Sequence, residues 1–252
     1  MVRAMDKVTT SLALYHAWVS SASRRVRFVL EEKELPYQGI LVDLLAFEQH
    51  TPEYLALNPN GWVPTLVHNG RPVVESSVIC EYLDETFPER AVRPTQPHER
   101  ASMRVWAKWT DEVVIRAFQV ANWNRMMAPT ARQWTDAEVG TRLRSIPVPD
   151  RREDWRRMAR EPFTEAEIEH ALTNIRRTLD RMENALADGP WLAGSSFSLA
   201  DIHLSPYIVR IGEHAERGIR LEDYPKCANW WNRLTDRPAF RRARIDPVTF
   251  KT

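Results

Sequence analysis

Two short groups of polar residues stand where helices are expected to begin. Ser20, Ser21 and Ser23 follow a short apolar run and open an amphipathic segment, and Glu75 and Ser76 open a second one. A hydroxyl beside the free amides of a first helical turn can bind an anion such as a carboxylate or a thiolate. The same hydroxyl can serve as an ordinary helix cap. The residues alone therefore leave open an anion site and a pair of capped helices.

The elements that would position these groups are short and mixed in type. The predicted order is a strand at 12–15, a helix from 22 to Pro36, a strand at 37–42, a helix-like stretch at 47–55, strands at 62–67 and 72–74, and a helix from 76 to Pro88. A strand–helix–strand unit followed by a hairpin and a closing helix predicts a compact α/β domain.

The composition excludes several classes of protein. With 35 basic and 34 acidic residues in 252, the chain has a formal charge of +1, which favours neither nucleic acid nor an anionic membrane as a partner. Two cysteines are too few for a disulfide framework or a four-thiolate zinc site, and the seven histidines show no metal spacing. No apolar run approaches 18 residues. We therefore expect a cytoplasmic protein without a metal, a membrane segment or nucleic acid.

A boundary near residue 88 divides the chain. Residues 1–88 hold seven basic and eleven acidic residues, whereas residues 89–252 hold 28 and 23. Three prolines between 88 and 97 interrupt periodic structure. We predict an α/β domain at 1–88, a linker at 89–97 and an all-helical domain at 98–252.

The helical part contains one motif and one unusual stretch. Phe197-Ser198-Leu199-Ala200-Asp201 has the pattern of a capping box, which we assign to structure. His203 on the same helix is expected to be a satisfied buried histidine. Residues 129–162 are rich in Arg, Asp, Glu and Pro, and we expect a solvated excursion held by ion pairs rather than an RNA-binding surface.

Taken together, the motifs of the first part resemble a known family. The matching residues are Leu14-Tyr15, Ser20-Ser21-x-Ser23-x-x-Val26-Arg27, Leu57-Asn58-Pro59, Val63-Pro64-Thr65-Leu66 and Glu75-Ser76-x-x-Ile79-x-Glu81-Tyr82-Leu83. From 14 to 89 the chain resembles the N-terminal domain of glutathione transferases, with a serine group similar to the zeta class. The resemblance implies that the α/β domain at 1–88 is a thioredoxin-like glutathione-binding domain. The strings around 47–59 and 78–83, and the insertion with Ile146-Pro-Val-Pro149, look closest to the bacterial β-etherase branch.

The resemblance implies a binding site for glutathione as co-substrate. Glu75 would pair with the γ-glutamyl ammonium, and Ser76 would bind its carboxylate. Gln49 matches the position that reaches the glycine end. Val63-Pro64 would be a cis unit whose Val63 backbone pairs with the cysteinyl residue.

One position of that site departs from the family pattern. Trp62 stands where Lys or Gln is frequent. Trp62 stays among the predicted glutathione-binding residues, with its side-chain contact in doubt and the Val63 backbone contact beside it retained.

The glutathione thiol needs a donor that favours the thiolate. A free thiol titrates near 8.5, and lowering its pKa by about two units requires roughly 2.7 kcal/mol of preferential thiolate binding. Ser20 aligns with the zeta-type catalytic serine, Ser21 lies beside it, and Ser23 aligns with the position that some β-etherases use. We rank Ser20 first. Arg24 and Arg25 in the first turn oppose the helix dipole. They could favour an anionic ligand, but a solvated face is the preferred interpretation.

The electrophile is expected to lie between the two domains. His16 and Trp18 after the first strand, with Arg116, Trp123 and Met126 on the first long helix, are candidate wall residues. An aromatic-lined cleft would suit an apolar electrophile. Each of these residues could equally belong to the core.

The leading interpretation is a homodimeric glutathione transferase that attaches the thiolate to an aromatic or aryl-ether electrophile. Two alternatives remain: a zeta-type isomerase, in which glutathione adds and leaves, and a non-catalytic glutathione- or ligand-binding module. Arg24 and Ala22 depart from the zeta motif, and the absence of Cys-x-x-Cys after the first strand disfavours a disulfide reductase.

Overall fold

A four-stranded mixed sheet forms the centre of the N-terminal domain. The structure is a computed structural model and describes residues 11–245. Its strands are β1 (Leu12–His16), β2 (Gln38–Leu41), β3 (Thr65–His68) and β4 (Arg71–Val73), in the order β2-β1-β3-β4. β1 runs parallel to β2 and antiparallel to β3, which forms a hairpin with β4. Asn69 and Gly70 both have positive φ, as a type I′ hairpin turn requires.

Three helices complete this domain. They are α1 (Ser21–Glu32), α2 (Pro52–Leu55) and α3 (Ser76–Thr86), with short 3₁₀ turns at Glu48–His50 and Pro88–Arg90. Val26, Val29 and Leu30 of α1 are fully buried together with Ile79 and Leu83 of α3. The apolar faces of α1 and α3 therefore build one core with the sheet.

Helices form the rest of the chain. The long ones are α4 (Pro97–Trp109), α5 (Ile115–Met126), α9 (Glu165–Ala185), α10 (Leu199–Ile208) and α11 (Pro225–Thr235); the others are α6 (Ala128–Ala131), α7 (Asp136–Ser145), α8 (Pro149–Arg160) and α12 (Pro238–Arg242). A π-helical turn, Thr110–Val114, joins α4 to α5. The predicted fold, an α/β domain followed by an all-helical domain, is confirmed. In residues 11–245 no helix is both long enough and apolar enough to cross a membrane.

The predicted capping box opens α10. Ser198 and Asp201 make the reciprocal bonds, and the Asp201 carboxylate also accepts from the Leu192 amide at 3.0 Å and from Trp230 Nε1 at 2.7 Å. The structural role assigned to this motif is confirmed. His203 is buried as expected, but its Nδ1 has no hydrogen-bond partner among the described residues, so it is not fully satisfied.

The expectation of a solvated excursion held by ion pairs at 129–162 is confirmed for the ion pairs and was wrong about burial. Ion pairs are present, for example Arg160–Asp136 at 2.7 Å. The stretch nevertheless folds into α6–α8 and buries Ile146 and Trp155 in a second hydrophobic cluster, which also contains Phe47 of the N-terminal domain. The charged residues cover this cluster because they alternate with its apolar positions at helical spacing.

Candidate active site

The three candidate serines at the start of α1 have different surroundings. Ser20 is the N-cap, half-buried, and its Oγ accepts from the Ser23 amide at 3.1 Å. Ser21 Oγ donates to the Pro206 carbonyl at 3.2 Å. Ser23 is fully buried, and its Oγ accepts from the Ala17 amide at 3.3 Å. Ser20 thus combines access with a hydroxyl proton that its cap bond leaves available.

The start of α3 presents the predicted acid and hydroxyl together. Glu75 is the exposed N-cap residue and adopts φ 66°, a left-handed backbone conformation that costs a non-glycine residue energy. Ser76 follows as the first helical residue and is 8% exposed. An outlier of this kind at a helix N-terminus is consistent with a binding site, and it places the Glu75 carboxyl and the free amides of α3 side by side.

The segment before β3 is held by a small polar network. The Val63–Pro64 peptide bond is cis, as the resemblance implies. The Trp62 carbonyl accepts from Tyr54 Oη at 2.6 Å and from Asn58 Nδ2 at 2.9 Å. The Trp62 side chain is 44% exposed. The backbone at this corner is therefore fixed by its neighbours while the Trp62 ring faces outward.

Arg25 corrects the expectation of a solvated face on α1. Arg25 and Arg24 are fully buried, and Arg27 is only 1% exposed. Arg25 Nη1 donates to Ser76 Oγ at 3.3 Å and pairs with Asp111 Oδ1 at 2.6 Å, and Nη2 donates to Tyr207 Oη at 3.3 Å. One guanidinium therefore joins α1, α3, the π-helical turn and α10, which together span both domains.

The charges of this network support one another. Burial would raise the pKa of Asp111, but Arg25 and hydrogen bonds from Ser77 and Arg25 hold it below its usual value. Burial would likewise lower the pKa of Arg25, but Tyr207 and Asp111 raise it. Both partners stay ionised, so Ser76 lies beside a permanent cation. Because Arg25 donates to Ser76 Oγ, the Ser76 hydroxyl proton is left free to bind a ligand.

His16 and Trp18 form a separate group with Arg27. Their rings meet edge to face at 5.0 Å, and the Arg27 guanidinium lies 4.6 Å from the Trp18 ring centroid. Arg27 also donates to the Ala243 carbonyl at 3.0 Å. Burial, with a smaller contribution from Arg27, lowers the pKa of His16 to about 4, so this imidazole is neutral near pH 7. Arg24 donates to the Trp18 carbonyl at 3.2 Å.

The three candidates on α5 are held by the helical domain. Arg116 pairs with Asp154 at 2.8 Å and lies 5.3 Å from the Phe163 ring centroid. Trp123 is 9% exposed and belongs to the second hydrophobic cluster. Met126 packs beside that cluster. The structure therefore groups these three residues around α8 and the 163 region, apart from the His16–Trp18 pair, and all five stay predictions as wall residues.

Gln49 lies in a loop that the helical domain covers. Its Nε2 donates to the Leu44 carbonyl at 3.3 Å, and its buried Oε1 has no partner among the described residues. Phe47 in the same loop packs against Trp155 of α8, with ring centroids 4.7 Å apart. His50 is also buried, and burial together with Arg151 lowers its pKa to about 4. Gln49, which is predicted to bind the glycine end of glutathione, thus lies where the two domains meet.

Comparison with known proteins agrees with this arrangement. The family model "Glutathione S-transferase, N-terminal domain" matches residues 14–91, and "Glutathione S-transferase, C-terminal domain" matches residues 165–233. Protein LigF of Sphingobium sp. strain SYK-6 is 32% identical over 237 residues, which cover 92% of each protein.

Solved structures give the same assignment. The crystal structure of the beta-etherase LigF from that strain has a TM-score of 0.86 and 32% identity, covering 92% of this chain and 98% of that one. The theta class glutathione S-transferase of Xanthomonas axonopodis pv. citri, crystallised with glutathione bound, has a TM-score of 0.69 and 27% identity over 96% of this chain and 99% of that one.

The chain belongs to the glutathione S-transferase family. It is a glutathione S-transferase with glutathione as co-substrate. Its N-terminal domain and its helical C-terminal domain are those of the family. Within residues 11–245, no three His, Cys, Asp or Glu side chains come together in a way that could hold a metal ion.

Sequence reasoning missed the residues that support the site. Arg25, Asp111 and Tyr207 surround Ser76, and Arg151 lies beside the Gln49 loop. Only Arg25 gave a signal, because a basic residue in a first helical turn opposes the dipole and needs a compensating acid. Asp111 is 86 residues away in sequence, and no local pattern links the two.

Proposed function

We propose that this transferase cleaves aryl ethers by attack of the glutathione thiolate on the carbon alpha to a ketone. The carrying observation is the likeness to the beta-etherase LigF, with a TM-score of 0.86 against 0.69 for the theta class enzyme. The alignment with LigF covers 92% of this chain, so it must include part of the 129–162 insertion. That insertion lies outside the residues matched by both family models.

The reaction needs little from the protein beyond a prepared thiolate. A C–S bond forms as the C–O bond breaks, and the aryl oxygen leaves as a phenolate, whose pKa near 10 makes it a workable leaving group. The thiol proton is released when the thiolate forms, and one proton later neutralises the phenolate. The products are a glutathione thioether and a phenol.

Ser20 is the proposed thiolate donor. Its Oγ is half-buried at the N-terminus of α1 and keeps a proton to donate, while Ser23 Oγ is enclosed and Ser21 Oγ donates to Pro206. A hydroxyl and a helix N-terminus both favour sulfur in its anionic form. Ser20→Ala should raise the pKa of bound glutathione toward its free value, with nearly unchanged affinity. A shift with Ser23→Ala and none with Ser20→Ala would assign the role to Ser23.

The remaining ligand contacts follow the γ-glutamyl end. Glu75 would accept from the ammonium, and Ser76 with the first amides of α3 would bind the carboxylate. The Val63 backbone would pair with the cysteinyl unit, and Gln49 would bind the glycine end. The electrophile would lie against His16, Trp18 or the α5 residues Arg116, Trp123 and Met126.

Phenol release tests the substrate. The protein is incubated with glutathione and a fluorogenic α-aryloxy ketone, with 1-chloro-2,4-dinitrobenzene as a second substrate. Glutathione-dependent fluorescence that Ser20→Ala reduces strongly is the expected result. Conjugation of the chloroarene without phenol release would leave a general transferase and exclude the etherase.

We also propose that the protein is a homodimer. Val78 on α3 and Val105 on α4 are 55% and 51% exposed, and an ion pair between Arg104 and Glu81 at 3.1 Å joins the two helices. Exposed apolar side chains on one surface that spans both domains suit a subunit contact. Light scattering should give twice the monomer mass at micromolar concentration, and Val78→Glu with Val105→Glu should reduce it. A monomer in the unsubstituted protein would exclude this proposal.

A further inference from the structure

One arginine of the insertion differs from its neighbours. On α8, Arg152 donates to the Ile146 carbonyl, and Arg156, Arg157 and Arg160 each bind a carboxylate. Arg151 makes no hydrogen bond and no ion pair with any residue from 11 to 245. Its guanidinium lies instead over the Trp123 ring at 4.4 Å from the centroid and 5.9 Å from that of Trp155.

Asp154 lies on the same helix but makes no ion pair with Arg151. Asp154 is paired with Arg116 at 2.8 Å. Burial, with a contribution from Arg116, lowers the pKa of Arg151 to about 10, against a smaller opposing effect of Asp154. The half-buried guanidinium is therefore charged at neutral pH without an anion bonded to it, which is costly unless a ligand supplies one.

Unpartnered polar atoms lie on the loop and helix around it. Both ring nitrogens of His50, the Oε1 of Gln49 and the Nε1 of Trp155 are buried without a hydrogen-bond partner in the described part of the chain. They form one region, because Phe47 contacts His50 at 5.4 Å and Trp155 at 4.7 Å between ring centroids. Buried polar groups in native proteins are nearly always bonded, so several in one place indicate a polar ligand or ordered water.

The chemistry of this group favours an anion. A guanidinium offers five N–H donors in a planar fork, Trp155 adds an indole donor, and a neutral His50 adds one more. Only Gln49 Oε1 and one His50 nitrogen are acceptors. The fork geometry matches a carboxylate, which it can bind through two parallel hydrogen bonds.

We propose that Arg151 binds a ligand carboxylate where the Phe47–His50 loop meets α8. The inference rests on the transferase activity only for the identity of that ligand. Two sources share this chemistry: the glycine carboxylate of glutathione and a carboxylate on the electrophile. The position of Gln49 in the same loop favours glutathione.

Calorimetry with matched ligands tests the proposal. Glutathione and its glycine monoethyl ester, which lacks that carboxylate, are titrated into the unsubstituted protein, Arg151→Gln and Arg132→Gln. Arg132 is an exposed arginine at the end of α6, so its replacement changes net charge equally. Losing a charge-assisted bond should weaken glutathione binding by roughly 10- to 150-fold in Arg151→Gln, with ester binding unchanged.

A second arm distinguishes the electrophile as the source. An aryloxyacetate and its methyl ester are compared as inhibitors of glutathione conjugation. If the carboxylate belongs to the electrophile, Arg151→Gln should weaken only the aryloxyacetate, again at least 10-fold. Equal loss for acid and ester in both arms, or no loss in either, overturns the proposal. Failure of phenol release would reject the etherase activity and leave these binding results unaffected.

Discussion

Two arginines, the fully buried Arg25 and the half-buried Arg151, mark two polar regions of this transferase, and they are used in opposite ways. Arg25 binds Ser76, Asp111 and Tyr207 and lies on the first helix of the N-terminal domain. Arg151 lies on the insertion and stacks on Trp123 without a bonded partner in residues 11–245. The first site is completed by the protein itself, whereas the second has donors left over for a ligand.

The difference follows from where the acids lie. The π-helical turn between α4 and α5 carries Asp111, which reaches Arg25 at 2.6 Å. Such turns place side chains that a continuous α-helix would direct elsewhere, and they are frequent at functional sites. Of the acids on α8, Asp154 acts electrostatically on Arg151 but is bound to Arg116. Whether an arginine is bonded within the protein or keeps donors for a ligand therefore depends on the acids around it and not on the type of residue.

The largest expected effect comes from breaking the Arg25 site. Arg25→Met should lower the free energy of unfolding by about 3 kcal/mol or more, because Asp111, Ser76 and Tyr207 lose their common donor. Urea denaturation at pH 7 measures it. The control Arg104→Met breaks the exposed pair with Glu81 and should cost less than about 1 kcal/mol. Equal losses in the two variants would contradict a structural role for Arg25.

The second largest effect is expected on glutathione affinity, at Ser76, which Arg25 contacts, and at its neighbour Glu75. Replacing Glu75 or Ser76 with Ala removes charge-assisted bonds of about 1.5–3 kcal/mol, or roughly 10- to 150-fold in dissociation constant. Calorimetry at neutral pH checks this, with Ser145→Ala at the end of α7 as a hydroxyl-deletion control. Unchanged affinity in both variants would remove the γ-glutamyl end from α3.

Stability should also fall on acidification. His16, His50 and His214 have pKa values lowered to about 4, chiefly by burial, against about 6.5 in an unfolded chain. Between these values the unfolded chain binds more protons, so stability is full above pH 6.5 and is lost as pH falls toward 4. Each histidine should contribute about 1–2 kcal/mol between pH 7 and 5.

Asp201, a buried acid, has the opposite effect on the pH dependence of stability. Burial raises the pKa of Asp201 to about 6, so its protonation between pH 6 and 4 stabilises the folded chain, but three histidines outweigh one carboxyl. Urea titrations from pH 7 to 5 measure the slope. His50→Leu should flatten the slope relative to the unsubstituted protein. A slope independent of His50 would contradict its buried, neutral state.

Local patterns predicted the elements and the capping box because both depend on residues close in sequence. The apolar run at 12–15, the Asn69-Gly70 turn and the Ser198-Asp201 pair each carry their own signal. Helix boundaries differed by a few residues. The Val63–Pro64 cis bond is the exception, since its prediction came from family resemblance and not from any local preference.

The long-range ion pairs and the burial of charge were out of reach. Helical periodicity assigns arginines to the solvent side. Arg25 departs from that rule because Asp111, from the helical domain, pairs with it in the interior. The same limitation made the 129–162 insertion look solvated, although Trp155 and Ile146 are buried under its charges. Composition reports how polar a segment is, but not which of its faces another element covers.

The smallest expected effect is the most discriminating one. Arg151→Met should change the free energy of unfolding by no more than about 0.5–1 kcal/mol, because methionine retains the contact with Trp123 and the lost cation–π attraction is offset by removal of a half-buried, unpaired charge. The same urea protocol as for Arg25→Met gives the comparison. A loss above about 2 kcal/mol would make Arg151 a structural residue like Arg25. With stability retained, the thermal shift produced by saturating glutathione should shrink in Arg151→Met, since a ligand stabilises in proportion to its affinity.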